Sequence, residues 1–86
     1  MRKFQYEGQN NVSGDRIREL RLRERMSQAA LAAKMQLNGV TIEQDAISRI
    51  ECGTRLVTDF ELLVLARIFN VTSDWLIGAD REPPQR

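Results

Sequence analysis

Histidine is absent from this sequence of 86 residues, and cysteine occurs only once, as Cys52. The missing histidine excludes zinc sites of the usual Cys/His kind, as well as Ser-His-Asp and Cys-His catalytic sets. A single cysteine excludes an intramolecular disulfide and is typical of a reducing compartment. Because serine, aspartate and glutamate have neither a histidine nor a metal site to activate them, we expect a protein that is not an enzyme and needs no cofactor.

Long apolar runs are also missing, and the formal net charge is only +1. No segment approaches the roughly 18 apolar residues of a membrane span, and no signal segment opens the chain. We therefore expect a cytoplasmic protein with no membrane partner. With 42% hydrophobic and 29% charged residues, the composition indicates one small globular domain. The low net charge means that a nucleic-acid partner would have to meet locally placed positive charge.

A repeated local pattern marks the starts of helices. An apolar residue precedes a hydroxyl residue that can cap a helix, and a second apolar residue, five positions after the first, can pack on it. Thr58 also has Glu61 three positions later, as in a capping box. The pattern predicts four helix starts, with caps at Ser13, Ser27, Thr58 and Thr72.

The stretch 27–51 predicts two helices joined by a turn, as in a helix-turn-helix. The second helix could be capped by Thr41 or by Glu43, and we place the cap at Glu43 because Ile42 could then pack on Ile47. Its outward face carries side chains with the donors and acceptors that base edges require, namely Gln44, Asp45, Ser48 and Arg49.

These starts predict an all-α fold of five helices around one core, with a folded domain over 13–78 and tails at 1–12 and 79–86. The N-terminal tail could be a basic arm along DNA, or a terminus that is frayed or packed by Phe4 and Tyr6. In the first helix, expected over 14–25, Arg21 lies near the core side and needs a partner, whereas the other arginines are expected at the solvated face. Three large apolar residues could form the core or a dimer surface: Phe69, Trp75 and Leu76.

Three segments carry a resemblance to a known family: GDRIRELRLRERMSQAALAAKM, AISRIECGTR and FNVTSDWLIG. They resemble the helix-turn-helix family of phage repressors and Cro proteins, the Cro/C1-type or XRE-like family. The resemblance implies a five-helix, lambda-repressor-like DNA-binding domain. Between Met35 and Ile42 the chain has more residues than the family's usual turn, so a lengthened turn is expected.

The resemblance also implies a role for particular residues. It implies base contacts in the major groove from Gln44, Asp45, Ser48 and Arg49. It implies phosphate contacts from Ser27, Gln28, Gly53, Thr54 and Arg55, and a helix N-terminus such as that at Gln28 is suited to an anion. It implies a buried ion pair between Arg21 and Glu51. Two roles stay open: Arg49 could fork onto guanine or bind phosphate, and Asp45 could accept from a cytosine amino group or complement the helix dipole.

The predicted function is a sequence-specific, double-stranded DNA-binding transcriptional regulator, most simply a repressor. We expect a homodimer on operator DNA, because tight binding needs two half-sites, about 34 Å apart. The alternatives are an antitoxin-type regulator bound to a toxin partner, and a protein-interaction adaptor that does not read DNA.

Overall fold

Five helices follow one another along residues 5–80, the part of the chain that this computed structural model describes. They are α1 (Gly14–Arg23), α2 (Gln28–Leu37), α3 (Gln44–Glu51), α4 (Asp59–Phe69) and α5 (Ser73–Leu76). Within the described range, β pairing is limited to one isolated bridge between Tyr6 and Gln9. The predicted all-α fold of five helices is confirmed. Phe4 and the basic residues of the predicted N-terminal arm lie outside the described residues, as does the segment 81–86.

Hydroxyl side chains cap three of the helices as predicted. Ser27 Oγ accepts a hydrogen bond from the Ala30 N–H at 3.0 Å, and Thr72 Oγ1 accepts from the Trp75 N–H at 3.0 Å. Thr58 and Glu61 form the complete capping box. The apolar residue before each of these caps packs against the core: Met26, Val57 and Val71. The start of α3 after Glu43 is also confirmed, although the Glu43 side chain makes no capping bond.

The predicted N-cap position of α1 is confirmed, but the prediction that the Ser13 hydroxyl caps the helix is wrong. Ser13 occupies the cap position, but its backbone is already near-helical (φ −103°, ψ −10°) and its side chain makes no capping bond. Asn11 caps the helix instead: its Oδ1 accepts from the N–H groups of Ser13 at 3.1 Å and Gly14 at 2.7 Å. Val12, which was expected to pack on Ile17, is exposed.

The core lies where α3 packs against α1 and α2, and where α4 packs against α2 and α5. Phe69, Trp75 and Leu76 are buried in this core, which excludes them as an exposed dimer surface. Arg16 departs from the predicted solvated face, because its guanidinium stacks on the Trp75 ring, 4.5 Å from the centroid. None of the described helices is long and apolar enough to span a bilayer.

The lengthened turn between α2 and α3 covers 38–43 and is part of the core. Val40 and Ile42 of this turn are buried in the core, and Gln36 Nε2 donates to the Ile42 carbonyl at 2.6 Å. Gly39 has a φ of +86°, which favours glycine and allows the chain to reverse. The extra residues are therefore packed against the bundle before α3 begins.

Candidate nucleic-acid interface

The polar face of α3 points away from the core. Gln44, Asp45 and Arg49 are exposed and Ser48 is half-buried. At about 100° per residue the four side chains lie within an arc of about 140°, and Ile47 and Ile50 point to the opposite side. Both isoleucines are fully buried. The packing of α3 thus presents all four predicted base-contacting side chains to solvent together.

Asp45 and Arg49 form an ion pair one turn apart on this face. Arg49 Nη2 lies 2.5 Å from Asp45 Oδ2, and both side chains remain largely exposed. An exposed pair at this spacing contributes little to stability, since water and salt screen it. A competing anion or acceptor can therefore draw Arg49 away at small cost.

The first turn of α2 presents main-chain donors beside α3. Ser27 Oγ is engaged by the Ala30 N–H, and the N–H groups of Gln28 and Ala29 precede the first residue that can bond within the helix. The Gln28 side chain turns toward α3, where its Nε2 donates to Glu51 Oε1 at 3.0 Å. This bond fixes the start of α2 against the end of α3.

The ion pair that the resemblance implies is present in the structure. Arg21 Nε and Nη2 donate to the two carboxylate oxygens of Glu51 at 2.6 and 3.0 Å, and Arg21 Nη1 donates to the Met26 carbonyl at 2.9 Å. Both side chains are buried, and the hydrogen bond with Glu51 raises the pKa of Arg21 despite that burial. With Gln28, the pair connects α1, the start of α2 and the end of α3.

The loop after α3 uses most of its polar groups inside the protein. The N–H groups of Gly53 and Thr54 donate to the carbonyls of Ile50 and Arg49, at 3.0 and 2.9 Å. Arg55 forms two hydrogen bonds with the Glu61 carboxylate, at 2.9 and 3.0 Å. The loop therefore lies beside α3 as expected, but these groups already have intramolecular partners.

The Arg55–Glu61 pair is electrostatically matched. The hydrogen bond with Glu61 raises the pKa of Arg55. Burial alone would raise the pKa of Glu61, but hydrogen bonds from Arg55 and from Thr58 outweigh it and hold that pKa below its ordinary value. Glu61 is thus ionised in the folded protein at neutral pH while it also completes the α4 capping box.

Comparison with known proteins decides the family. The family model described as a helix-turn-helix domain matches residues 14–76, from the first residue of α1 to the last of α5. The chain belongs to this helix-turn-helix family. Its structure is similar to the crystal structure of the P22 c2 repressor protein in complex with synthetic operator 9T in the presence of Tl+. The similarity has a TM-score of 0.69 at 27% identity and covers 81% of this chain and 98% of that chain.

These matches confirm the expected kinship with Cro/C1-type repressors. Among curated proteins, none matches the sequence of this chain.

Asn11 is a structural residue of the helix-turn-helix domain that the sequence reasoning missed. Its Nδ2 donates to the carbonyls of Ile50 at 3.0 Å and Arg55 at 2.8 Å. One side chain thereby caps α1 and holds both the end of α3 and the loop that follows. The local signal was available, because an asparagine three residues before the first helical residue is typical of a turn that caps through its side chain.

Gly53 is constrained by the same N-terminal segment. It has a φ of +79°, and a Cβ added there would lie 1.6 Å from Gln9 Oε1. The Asn10 N–H donates to the Gly53 carbonyl at 2.8 Å. Residues 9–11, which were predicted to be part of an N-terminal tail, thus cover the end of α3.

Proposed function

We propose that this chain is a sequence-specific, double-stranded DNA-binding transcriptional regulator, most simply a repressor, and that α3 enters the major groove. The observation that carries the proposal is the similarity to the P22 c2 repressor protein. The similarity covers 98% of that chain, and the structure compared is that of the repressor in complex with a synthetic operator. The exposed polar face of α3 supports it, since an α-helix fits the major groove of B-DNA.

In this proposal the α3 face reads base edges. The amide of Gln44 and the hydroxyl of Ser48 can both donate and accept hydrogen bonds. Arg49 can fork onto the O6 and N7 atoms of guanine once it leaves Asp45. Asp45 then either accepts a hydrogen bond from a cytosine amino group or complements the α3 dipole from the first turn of the helix. The exposed ion pair is weak enough for Arg49 to exchange Asp45 for a base, because both side chains are already hydrated.

Phosphate contacts would flank this face. The main-chain N–H groups at Gln28 and Ala29 present donors and the positive end of the α2 dipole to a phosphate, beside the Ser27 hydroxyl. In the loop that follows α3, the hydroxyl of Thr54 makes only a 3.3 Å bond to the Arg49 carbonyl and can turn to a phosphate oxygen. Gly53 and Arg55 contribute there mainly by shaping the loop, because Arg55 is already paired with Glu61.

Two copies are expected on the operator. A single module of this kind buries roughly 600 to 1,000 Å² on DNA, which gives modest affinity. Two copies on half-sites about 34 Å apart would place both α3 helices on one side of the duplex. The proposed operator is therefore approximately two-fold symmetric.

The test is enrichment of bound fragments from random duplex DNA, followed by binding to the enriched site and to single-base variants of it. Arg49→Ala should reduce the preference among the variants, because a bidentate contact with guanine contributes about 1 to 3 kcal/mol of discrimination. The matched control is Arg18→Ala, which removes an exposed arginine from α1 and should affect all duplexes alike. Enrichment of no sequence, with equal binding of all duplexes, would contradict sequence-specific reading.

The second candidate is a protein-interaction role, either as an adaptor that does not read DNA or as an antitoxin that also binds a toxin. The exposed Phe60 and Leu63 on α4 favour a protein contact of some kind. Binding to random duplex at two salt concentrations separates the adaptor from a DNA-binding protein. An adaptor shows neither binding nor a salt slope, whereas a DNA-binding protein loses affinity as salt rises.

A further inference from the structure

The solvent-facing side of α4 is unusual for a helix of a small domain. Four residues of this helix are exposed, namely Asp59, Phe60, Leu63 and Arg67. At about 100° per residue they lie within an arc of about 100°, and we call this surface the α4 face. Two of these four side chains are apolar, with Phe60 56% and Leu63 48% exposed. The outward side of an amphipathic helix is normally polar, so adjacent apolar side chains there indicate a contact surface.

Charge is arranged in order along the α4 face. Asp59 lies at the first position of the helix and Arg67 lies eight residues later, about 12 Å along the axis. Neither side chain has a hydrogen bond or ion pair among the described residues. Leu63 lies midway between them. The face is thus negative at one end, apolar in the middle and positive at the other end.

The positive end is strengthened by α2. Lys34 and Leu37 line a shallow surface notch together with Arg67 and Ile68. Lys34 is exposed and, like Arg67, makes no ion pair among the described residues. An aspartate brought to this end would therefore meet two positive charges.

We propose that the α4 face binds the same face of a second copy, with the two helices antiparallel across a two-fold axis at Leu63. In this arrangement Asp59 of each copy faces Arg67 of the other, and the two Leu63 side chains meet at the axis. A two-fold interface requires a surface complementary to itself, and this order of charges has that property. A parallel arrangement would instead bring like charges together.

The size of the α4 face indicates a weak dimer. The 11 residues of α4 extend about 16 Å, and one helix pair of that length buries less than the roughly 800 Å² per partner of a standard interface. The self-association is a property of the free protein and stands without DNA binding. Its use on two half-sites rests on the proposed function, where the duplex would supply the remaining free energy by holding both copies together.

The test uses charge reversal and mixing, on the DNA-free full chain. Sedimentation equilibrium over a protein concentration series should show a monomer–dimer equilibrium for the wild type. Asp59→Lys and Arg67→Glu should each weaken it by at least about tenfold, since each variant brings two like-charged pairs together. An equimolar mixture of the two variants should associate again, because every pair in the mixed dimer has opposite charges. A folding defect in one variant cannot be repaired by mixing.

A second variant tests the apolar centre. Leu63→Ser should weaken self-association, whereas Leu22→Ser, at a leucine of α1 with a matching 49% exposure, should leave it unchanged. Circular dichroism checks that each variant is folded. A wild type that stays monomeric, variants that dimerise like the wild type, or a mixture that stays monomeric would each overturn the proposal. Because DNA is absent, a failure here leaves the test of sequence-specific binding unaffected.

Discussion

Replacing Glu51 by glutamine tests the connection that holds α1, α2 and α3 together. The substitution nearly preserves the shape of the side chain but removes its charge and turns one acceptor oxygen into an NH2 donor. In the structure the two Glu51 oxygens accept from Arg21 Nε at 2.6 Å, Arg21 Nη2 at 3.0 Å and Gln28 Nε2 at 3.0 Å. Whichever way the new amide is turned, its NH2 group faces an N–H of Arg21.

The loss of stability can be estimated from this geometry. The Arg21 and Glu51 side chains are 10% and 3% exposed, so Arg21 would keep a buried charge without its counter-charge. Removing one partner of a buried pair costs about 3 to 5 kcal/mol, and because glutamine keeps one acceptor we expect about 3 kcal/mol. Since each kcal/mol lowers Tm by about 4 to 8 °C in a domain of this size, Tm should fall by about 12 to 24 °C.

Two other ion pairs provide matched controls. The Arg55 and Glu61 side chains are 31% and 4% exposed, and the Arg49 and Asp45 side chains are 58% and 79% exposed. We expect Glu61→Gln to cost about 1 to 2 kcal/mol, because Arg55 can regain water, and Asp45→Asn to cost less than about 1 kcal/mol. Urea unfolding measured by circular dichroism and by the fluorescence of Trp75, the single tryptophan, gives all three values. A Glu51→Gln cost no larger than that of Asp45→Asn would refute the reasoning.

Two further predictions concern stability. Asn11→Ala should cost about 2 kcal/mol, because it removes four hydrogen bonds of the Asn11 side chain, whereas Ser13→Ala should cost much less; thermal unfolding compares them. Glu61 has a lowered pKa, so its carboxylate stabilises the fold above the ordinary value of 4.5 and loses that contribution as pH falls through the folded pKa. The urea midpoint of the wild type should therefore decrease as the pH is lowered from 5 to 3, and that of Glu61→Gln should decrease less. An equal decrease in the two proteins would contradict this assignment.

Most of the fold could be predicted because the helix starts and helix faces depend on residues that are close together in the sequence. The caps at Ser27, Thr58 and Thr72 depend on residues three positions away, and the helices they start follow from that spacing. The outward position of Gln44 and Arg49 follows from helical periodicity against Ile47 and Ile50. In each case the partner residue lies within one or two turns, where sequence reasoning is strongest.

The missed features depend on contacts between distant parts of the chain. Asn11 donates to carbonyls 39 and 44 residues later. Because every residue has a backbone carbonyl, the sequence does not indicate which carbonyl a distant side chain will bind. The pairing of Arg55 with Glu61 was missed for another reason: Glu61 already had a predicted role in the capping box, and a carboxylate has room for several donors. Ser13 was misjudged because its pattern matched locally while Asn11 supplied a better acceptor.

The side chains that hold α3 in place, which we call its anchors, are different from the side chains of its exposed polar face. A helix of eight residues is too short to persist alone in water, so α3 depends on contacts from outside. Just before α3 starts, the Gln36 side chain donates a hydrogen bond to the Ile42 carbonyl. At the end of α3, Asn11 donates to the Ile50 carbonyl and Arg21 donates to the Glu51 carboxylate. None of these bonds uses the exposed polar face. Substitutions on that face should therefore change what the helix binds with little effect on unfolding, whereas substitutions at the anchors should change stability first and binding only as a consequence.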